Sequence, residues 1–426
     1  MHAWSPERLA EASGARLVQP APRRDGPRRA VVDSREVTHG DLFIGLPGER
    51  ADGGRFAAQA LAAGAWGVLV APEHAEVGTA GTDAGGHPPE RRCAPPGALL
   101  AVDDPLQALQ RLATAWRRAL GATVIGITGS TGKTSTKDLL AGMLRPHRRT
   151  VATPQNYNTE IGLPLTVLGA PAGTEVLILE MAMRGAGQIA ELAAIAEPDV
   201  GVVTNVGPVH LELLGTLDAI TDAKLELVRA LRPGGTAVVP AELADRVPDG
   251  VQTVVPGGDL GDVTIPFDSA HMRLNALTAL AAARAIGVEP HGLIEVELSA
   301  RRGQRVELAN GAVVVDDCYN ANPMSMRAAL DELARAPGRR VAVLGDMLEL
   351  GPDEVRYHEE IGEYASERAD VLVAVGPLAA HMGADHAVAD AAQATDLVRR
   401  LMEPGDTILV KASRGVGLQT VAETLR

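Results

Sequence analysis

Aromatic residues are scarce in this chain. Phe, Trp and Tyr make up 2 % of its 426 residues, so its cores must be built largely from Leu, Val, Ile and Ala. Cysteine is scarcer still. Cys93 and Cys318 are the only two, and their number and spacing exclude a disulfide framework or a cysteine-rich zinc site. Positive charge is in deficit, with 40 Lys and Arg against 54 Asp and Glu and a formal net charge of -14. No lysine–arginine block offers a continuous track for a phosphate backbone, which argues against nucleic acid as a partner. A focused basic site for a small anion is still compatible with that balance. No 18-residue run is both uncharged and apolar enough to span a bilayer. The opening MHAWSPERLAEASGARL places charges where a signal peptide needs its apolar core. A soluble, cytoplasmic protein without membrane insertion is expected.

Apolar residues are plentiful at 46 %, and the length calls for about three domains. In the first segment, a helical pattern at Phe56–Ala63 precedes an apolar stretch at Ala65–Val70. The Gly/Pro-rich GTAGTDAGGHPPERRCAPPG then reads as a loop that closes a small α/β domain. The second segment opens with a helix at Leu106–Leu120 and the strand TVIGITG. An amphipathic pattern over Thr134–Leu144 follows. Short apolar strands at Val176–Leu179, Val200–Thr204 and Thr236–Val239 alternate with helical patterns, and Leu274–Ile286 is a strong helix. That alternation belongs to a mostly parallel sheet covered by helices. The third segment repeats the layout. Its strands are Val313–Val315, Val341–Leu344, Val371–Val375 and Ile408–Val410, and its helices Met324–Leu333, Val355–Ser366 and Ala394–Met402. Asn322 and Pro323 read as N-cap and first residue of a helix. The expected boundaries are 1–102, 103–298 and 299–426: a small N-terminal α/β domain, a central phosphate-loop domain and a C-terminal Rossmann-like domain.

The sharpest local signal is TGSTGKTST, residues 128–136. It follows a strand and opens a helix, the context that gives such a motif meaning. Gly129 and Gly132 allow the backbone to wrap closely around phosphates, with amides and the helix N-terminus facing the charge. Lys133 is placed to reach the β- and γ-phosphates of ATP, and Thr134 to offer a hydroxyl to Mg²⁺. The strict pattern asks for a further glycine where this chain has Ile127, so a variant loop is implied.

Two carboxylate or imidazole groups follow strands. Glu180 ends VLILE, and His210 comes shortly after GVVTN. The C-terminal ends of parallel strands gather on one edge, so both are candidates for the same Mg²⁺. Lys224 is more informative. Leu217, Ile220, Lys224, Leu227 and Leu231 fall within one narrow arc of a helix, while Asp218, Asp222, Glu226 and Arg229 occupy the other side. A lysine inside an apolar stripe is costly unless it is paired, modified or snorkels to an edge. A bare ammonium would also repel Mg²⁺, whereas a carbamylated lysine is an anion able to hold it.

These segments together resemble the Mur ligases of peptidoglycan synthesis over nearly the whole chain. The resemblance rests on DSREVTHGDLFIGLPGERADG (33–53), GITGSTGKTSTK (126–137), NYNTEIGLP (156–164), EMAMRGAGQIAEL (180–192) and TNVGPVHLELLGT (204–216). It continues through DAKLEL (222–227), DDCYNANPMSM (316–326), LGDMLELG (344–351) and KASRG (411–415). The YNANP and LGDMLELG segments resemble the branch that joins D-alanyl-D-alanine to UDP-N-acetylmuramoyl-tripeptide. The resemblance implies an ATP-dependent amide ligase working through an acyl phosphate, and a monomer is expected.

The same resemblance implies residue roles. The loop residues Gly129, Ser130, Thr131, Gly132, Lys133, Thr134 and Ser135 would hold ATP, and the family's loop also lacks the first glycine. Thr134, Glu180, His210 and Lys224 would form the Mg²⁺ site, with Lys224 matching a lysine that is carbamylated in the family. Asn275 matches an adenine contact and Asp317 a ribose contact. Ser34 and Arg35 fall where the family grips the UDP-sugar. Asn156, Asn158, Asn320, Asn322, Lys411 and Ser413 fall among further substrate elements. Some positions depart: the family usually reads His-Asn at His271–Met272, and glycine at Ala182 and Ala412. The stretch between Val239 and His271 looks too short for the strands expected there, so part of the central sheet is expected to be absent. Two other readings follow from the same residues: a family ligase with a different acceptor, or a nucleotide-binding relative that has lost turnover.

Overall fold

A computed structural model describes residues 1, 3–21, 25–49, 51–75, 97–209, 211–267, 269–297, 299 and 302–425. The Gly/Pro-rich segment and Cys93 lie outside these. The chain forms two compact units. One comprises Met1–Gly126, Arg148–Met181 and Ala190–Asp199; the other comprises Ile127–His147, Ala182–Ile189 and Val200–Arg426. No helix among the described residues is long and apolar enough to cross a membrane.

The first unit contains a five-stranded sheet in the order Arg16–Gln19, Ala98–Ala101, Gly67–Val70, Leu42–Ile44, Ala30–Val31. Its first strand is antiparallel to its neighbour and the rest run parallel. Leu42, Phe43, Ile44, Val68 and Val70 are wholly buried, as expected where parallel strands are covered on both faces. The helix Pro105–Leu120 begins one residue before the expected start. Asp104 caps it by accepting from the Gln107 N–H at 2.9 Å, and Gly121 ends it in the left-handed region at φ 63°. Both are standard stop and start chemistry.

A six-stranded sheet runs in the order Gln252–Val254, Thr236–Val238, Val200–Val203, Thr123–Thr128, Val176–Glu180, Thr150–Ala152. The stretch between 239 and 271 contributes more than its sequence suggested. Gln252–Val254 is an edge strand parallel to Thr236–Val238, and Val263–Thr264 pairs with Gly292–Leu293 in a separate two-stranded sheet. The edge strand was hard to read because two of its three residues are exposed. In the second unit, helix Lys133–Leu144 packs on helix Ala270–Ala285, whose buried Ala276, Ala279, Ala282 and Ala283 permit close approach.

The C-terminal sheet has the order Gln304–Glu307, Val313–Asp316, Thr407–Lys411, Arg340–Gly345, Val371–Val375, His386–Val388. Only the first strand is antiparallel. Alternate residues of Arg340–Gly345 serve different cores. Ala342 and Leu344 join Met326, Leu330 and Ile361, while Val341 and Val343 join Val398, Leu418 and Val421. This period of two places a helix layer on each face. Helix Pro323–Leu333 has the expected cap: Asn322 Oδ1 accepts from the Ser325 N–H at 2.9 Å, and Ser325 Oγ accepts from the Asn322 N–H at 3.0 Å.

Candidate active site

The phosphate loop owes its shape to two glycines and to the side chains that brace it. Strand Thr123–Thr128 delivers the chain to Gly129, whose φ is 150°; a Cβ there would lie 1.9 Å from Thr204 Oγ1. At Gly132, φ is 79° and a Cβ would lie 2.5 Å from Asn275 Oδ1. Both positions therefore demand glycine on conformation and on space. Asn205 braces the bend. Its carbonyl accepts from the Ser130 N–H at 3.1 Å, its Oδ1 from the Thr131 N–H at 2.9 Å, and its Nδ2 donates to Thr131 Oγ1 at 2.8 Å. Ser130 Oγ accepts from the Gly207 N–H at 2.8 Å, and Thr204 Oγ1 donates to the Thr131 carbonyl at 2.6 Å. Helix Lys133–Leu144 starts immediately afterwards. Its leading N–H groups lack intrahelical acceptors and form an anion-facing end.

Lys133 Nζ donates to the Gly129 carbonyl at 2.7 Å, which holds the ammonium over the loop. Thr134 is buried and its Oγ1 accepts from Arg302 Nη2 at 3.0 Å. Ser135 is partly buried in the first turn. Lys224, on helix Leu217–Arg229, is 2 % exposed. Burial first, and then the positive charge of Lys133, pushes its pKa well below the usual lysine range. The apolar stripe that flagged Lys224 is real at Ile220, Leu227 and Leu231, but Leu217 is exposed because the helix begins there. Asn275 is buried, with Oδ1 against Gly132 and Nδ2 3.9 Å from Met272 Sδ.

The other unit holds Glu180 at the end of its strand, 2 % exposed. Glu180 N–H donates to Thr153 Oγ1 at 2.9 Å, and Oε1 accepts from Asn158 Nδ2 at 2.8 Å. Asn156 is exposed nearby in sequence. Ser34 and Arg35 sit in a one-turn 3-10 helix capped by Asp33. The Arg35 guanidinium folds back on Asp33 with Nη2 2.6 Å from Oδ2, and this pairing holds the Asp33 carboxyl down to about 2. His210 lies outside the described residues.

Three C-terminal segments meet at one end of the Rossmann-like sheet. Lys411, 2 % exposed, donates from Nζ to Asp317 Oδ2 at 2.6 Å and to the Asn320 carbonyl at 3.0 Å. Ser413 N–H donates to the Asp346 carbonyl at 3.0 Å. Its Oγ accepts from the Leu348 N–H at 3.0 Å and donates to the Ala321 carbonyl at 3.3 Å. Asn322 serves as the helix cap described above.

Sequence reasoning overlooked Asn205, Thr204 and Arg302. Asn205 and Thr204 stand in the TNVG segment and could have been found as side chains following a strand beside the loop strand. Arg302 had no signal, since it is one of two consecutive arginines in RRGQ. The structure stacks it on the Tyr319 ring, 4.0 Å from the centroid, while it reaches Thr134.

The Mur ligase middle domain matches residues 127–247, the Mur ligase glutamate ligase domain residues 301–414, and the Mur ligase family catalytic domain residues 31–117. The chain is 34 % identical to the UDP-N-acetylmuramoyl-tripeptide–D-alanyl-D-alanine ligase of Bacillus subtilis, over 98 % of this chain and 97 % of that one. It is 38 % identical to the Mycobacterium tuberculosis enzyme of the same name, over 98 % and 96 %. Among solved structures, MurF from Acinetobacter baumannii superposes with a TM-score of 0.84 at 29 % identity, covering 99 % of this chain and 98 % of that one. MurF ligase from Thermotoga maritima in complex with ADP gives 0.79 at 30 %, covering 93 % and 97 %.

Proposed function

The chain belongs to the Mur ligase family, and on that premise we propose that it joins D-alanyl-D-alanine to UDP-N-acetylmuramoyl-tripeptide at the expense of ATP. The observation that carries this reading is the braced loop at Gly129–Thr134 within a chain that matches such ligases from end to end. That reaction makes a peptidoglycan precursor, so the protein serves cell-wall biogenesis and, through it, cell shape and division. A cytoplasmic location agrees with nucleotide-linked substrates.

A carboxylate is a poor electrophile, because its charge repels a nucleophile and oxide is a poor leaving group. A carboxylate oxygen of the tripeptide attacks the γ-phosphorus of ATP, the bond to the bridging oxygen breaks, and ADP leaves. The amine of D-alanyl-D-alanine then attacks the acyl carbon. The tetrahedral intermediate expels phosphate, and the nitrogen loses a proton to give the amide. Lys133 and the helix start offset the charge that moves during phosphoryl transfer. Ser130, Thr131 and Ser135 complete the phosphate-facing loop, and Asn275 and Asp317 are assigned to the nucleoside.

The hydroxyl of Thr134 and the carboxylate of Glu180 are hard oxygen donors of the type Mg²⁺ prefers. On the resemblance we assign Mg²⁺-binding roles to Thr134, Glu180, His210 and a carbamate on Lys224, each taken by itself; the ion would neutralise phosphate charge. A buried lysine held neutral is the form that adds CO₂, and the apolar surroundings of Lys224 favour that form. Residues 1–102, with Ser34 and Arg35, are assigned to the UDP-sugar, 103–298 to ATP, and 299–426, apart from Asp317, to the incoming dipeptide. Asn320, Asn322, Lys411 and Ser413 are placed on the dipeptide side, and Asn156 and Asn158 on the tripeptide side.

The test is product mass after incubation with ATP, UDP-N-acetylmuramoyl-tripeptide and D-alanyl-D-alanine. A pentapeptide product with stoichiometric phosphate is expected, and Lys133→Ala should abolish it. A product with some other amino acid in place of the dipeptide, or ATP binding without turnover, would overturn the assignment.

A further inference from the structure

A buried histidine lies under the loop that ties the C-terminal segments together. His358, on helix Glu354–Ser366, is wholly buried. The Met347 N–H donates to its Nε2 at 2.9 Å, and its Nδ1 lies 2.6 Å from the Glu354 carbonyl oxygen. A backbone N–H only donates and a carbonyl only accepts. The ring therefore accepts at Nε2 and donates at Nδ1, which fixes the neutral tautomer protonated on Nδ1. Both nitrogens are engaged within the protein.

The loop Asp346–Leu350 is held at several points. Asp346 Oδ1 accepts from the Ala379 N–H at 2.7 Å. Ser413 bonds the Asp346 carbonyl and the Leu348 N–H. Glu349 has φ 66°, a left-handed conformation that a non-glycine residue keeps only where its surroundings impose it. Within this loop, the Met347 N–H is the group bonded to the side chain of His358, and so to helix Glu354–Ser366.

We propose that His358 is a positioning residue for the ligation reaction. Through Met347 it sets the loop that holds Ser413 and, through Ser413, the Ala321 turn between Asn320 and Asn322. It acts on the dipeptide side and not on the phosphate loop. The inference rests on the assignment of that side given above.

The chemistry of the ring gives the proposal a pH signature. An imidazolium has no acceptor at Nε2, so protonation sets N–H against N–H at Met347. Burial lowers the His358 pKa first; the Glu354 carbonyl, Asp346 and Glu354 oppose this, and His381 adds to it. A histidine whose folded pKa lies below its unfolded one contributes fully above the unfolded value. Its contribution is lost as pH falls below about 6.5.

The test uses the full chain. His358→Leu keeps volume but orphans the Met347 N–H, whereas His358→Gln keeps an acceptor near Nε2. His358→Leu should raise KM for D-alanyl-D-alanine about tenfold or more, the scale set by one buried unsatisfied amide, and leave ADP affinity unchanged. Amide exchange across 346–350 should quicken in that variant. His358→Gln should restore KM and abolish the fall in kcat/KM expected of the parent on the acid side, below about pH 6.5. Unchanged KM and unchanged exchange in folded His358→Leu would overturn the proposal. If that variant does not fold, an identical acid limb in the parent and His358→Gln would do the same. Absence of any dipeptide product from the parent would sink the assigned reaction instead, and exchange at 346–350 would still decide the His358 tie.

Discussion

Replacing Gly129 with alanine would bring a methyl group within 1.9 Å of Thr204 Oγ1, on a backbone at φ 150°. ADP affinity, measured by calorimetry, should fall at least about tenfold, since the loop cannot keep its shape around both the methyl and Thr204. Gly185→Ala is the matched control, because a Cβ there meets nothing within 4 Å and its φ is not positive. Lys224→Ala should lose about a hundredfold in turnover and regain part of it with added short carboxylic acids. Full unassisted activity would remove the carbamate from the account. Legibility at this scale followed chemistry. Lys224 could be found because a charge inside an apolar stripe is conspicuous. Asn205 braces the loop through bonds that no local pattern announces, and Arg302 reaches Thr134 across more than 160 positions of chain.

Helix starts were legible where a cap announces them, whereas the helices read from Leu274 and Ala394 begin at Ala270 and Ala391. Asn322 and Pro323 announce their helix, and the structure adds the reciprocal bond from Ser325. Asn322→Ala should therefore destabilise the fold by about 1 kcal/mol in denaturant titration, with an unchanged slope. A much larger loss of dipeptide affinity than of stability would indicate that Asn322 also meets substrate. Buried strands such as Val341–Leu344 and Val371–Val375 stood out as apolar runs, since both faces are covered. Strands with exposed positions did not: Arg16–Gln19 is half exposed and Gln252–Val254 more so. Nothing local revealed strand order. Thr407–Lys411, the last strand in the chain, lies between Val313–Asp316 and Arg340–Gly345. That placement depends on contacts between distant segments, where periodicity is silent.

Across the whole molecule, the excess of acidic residues and the focused loop lead to opposite expectations for two kinds of anion. ATP or ADP at a hundred times its Kd should stabilise the protein by about 2.7 kcal/mol and raise Tm by a few degrees. Lys133→Ala should lose most of that rise. A long polyanion such as heparin or RNA should neither shift Tm nor slow phosphate release at physiological salt.

The shortage of aromatic residues has an optical consequence. Trp4 and Trp116 meet edge to face with centroids 5.3 Å apart, and Trp66 is the one other tryptophan in the chain. All three belong to the unit that contains the five-stranded sheet; the unit carrying Gly129–Thr134 has none. Indole emission is thus a private reporter on one unit. Its thermal trace should report the surroundings of these three rings, while far-ultraviolet dichroism reports the backbone of the whole chain, and a gap between the two curves would show that unfolding is not all-or-none.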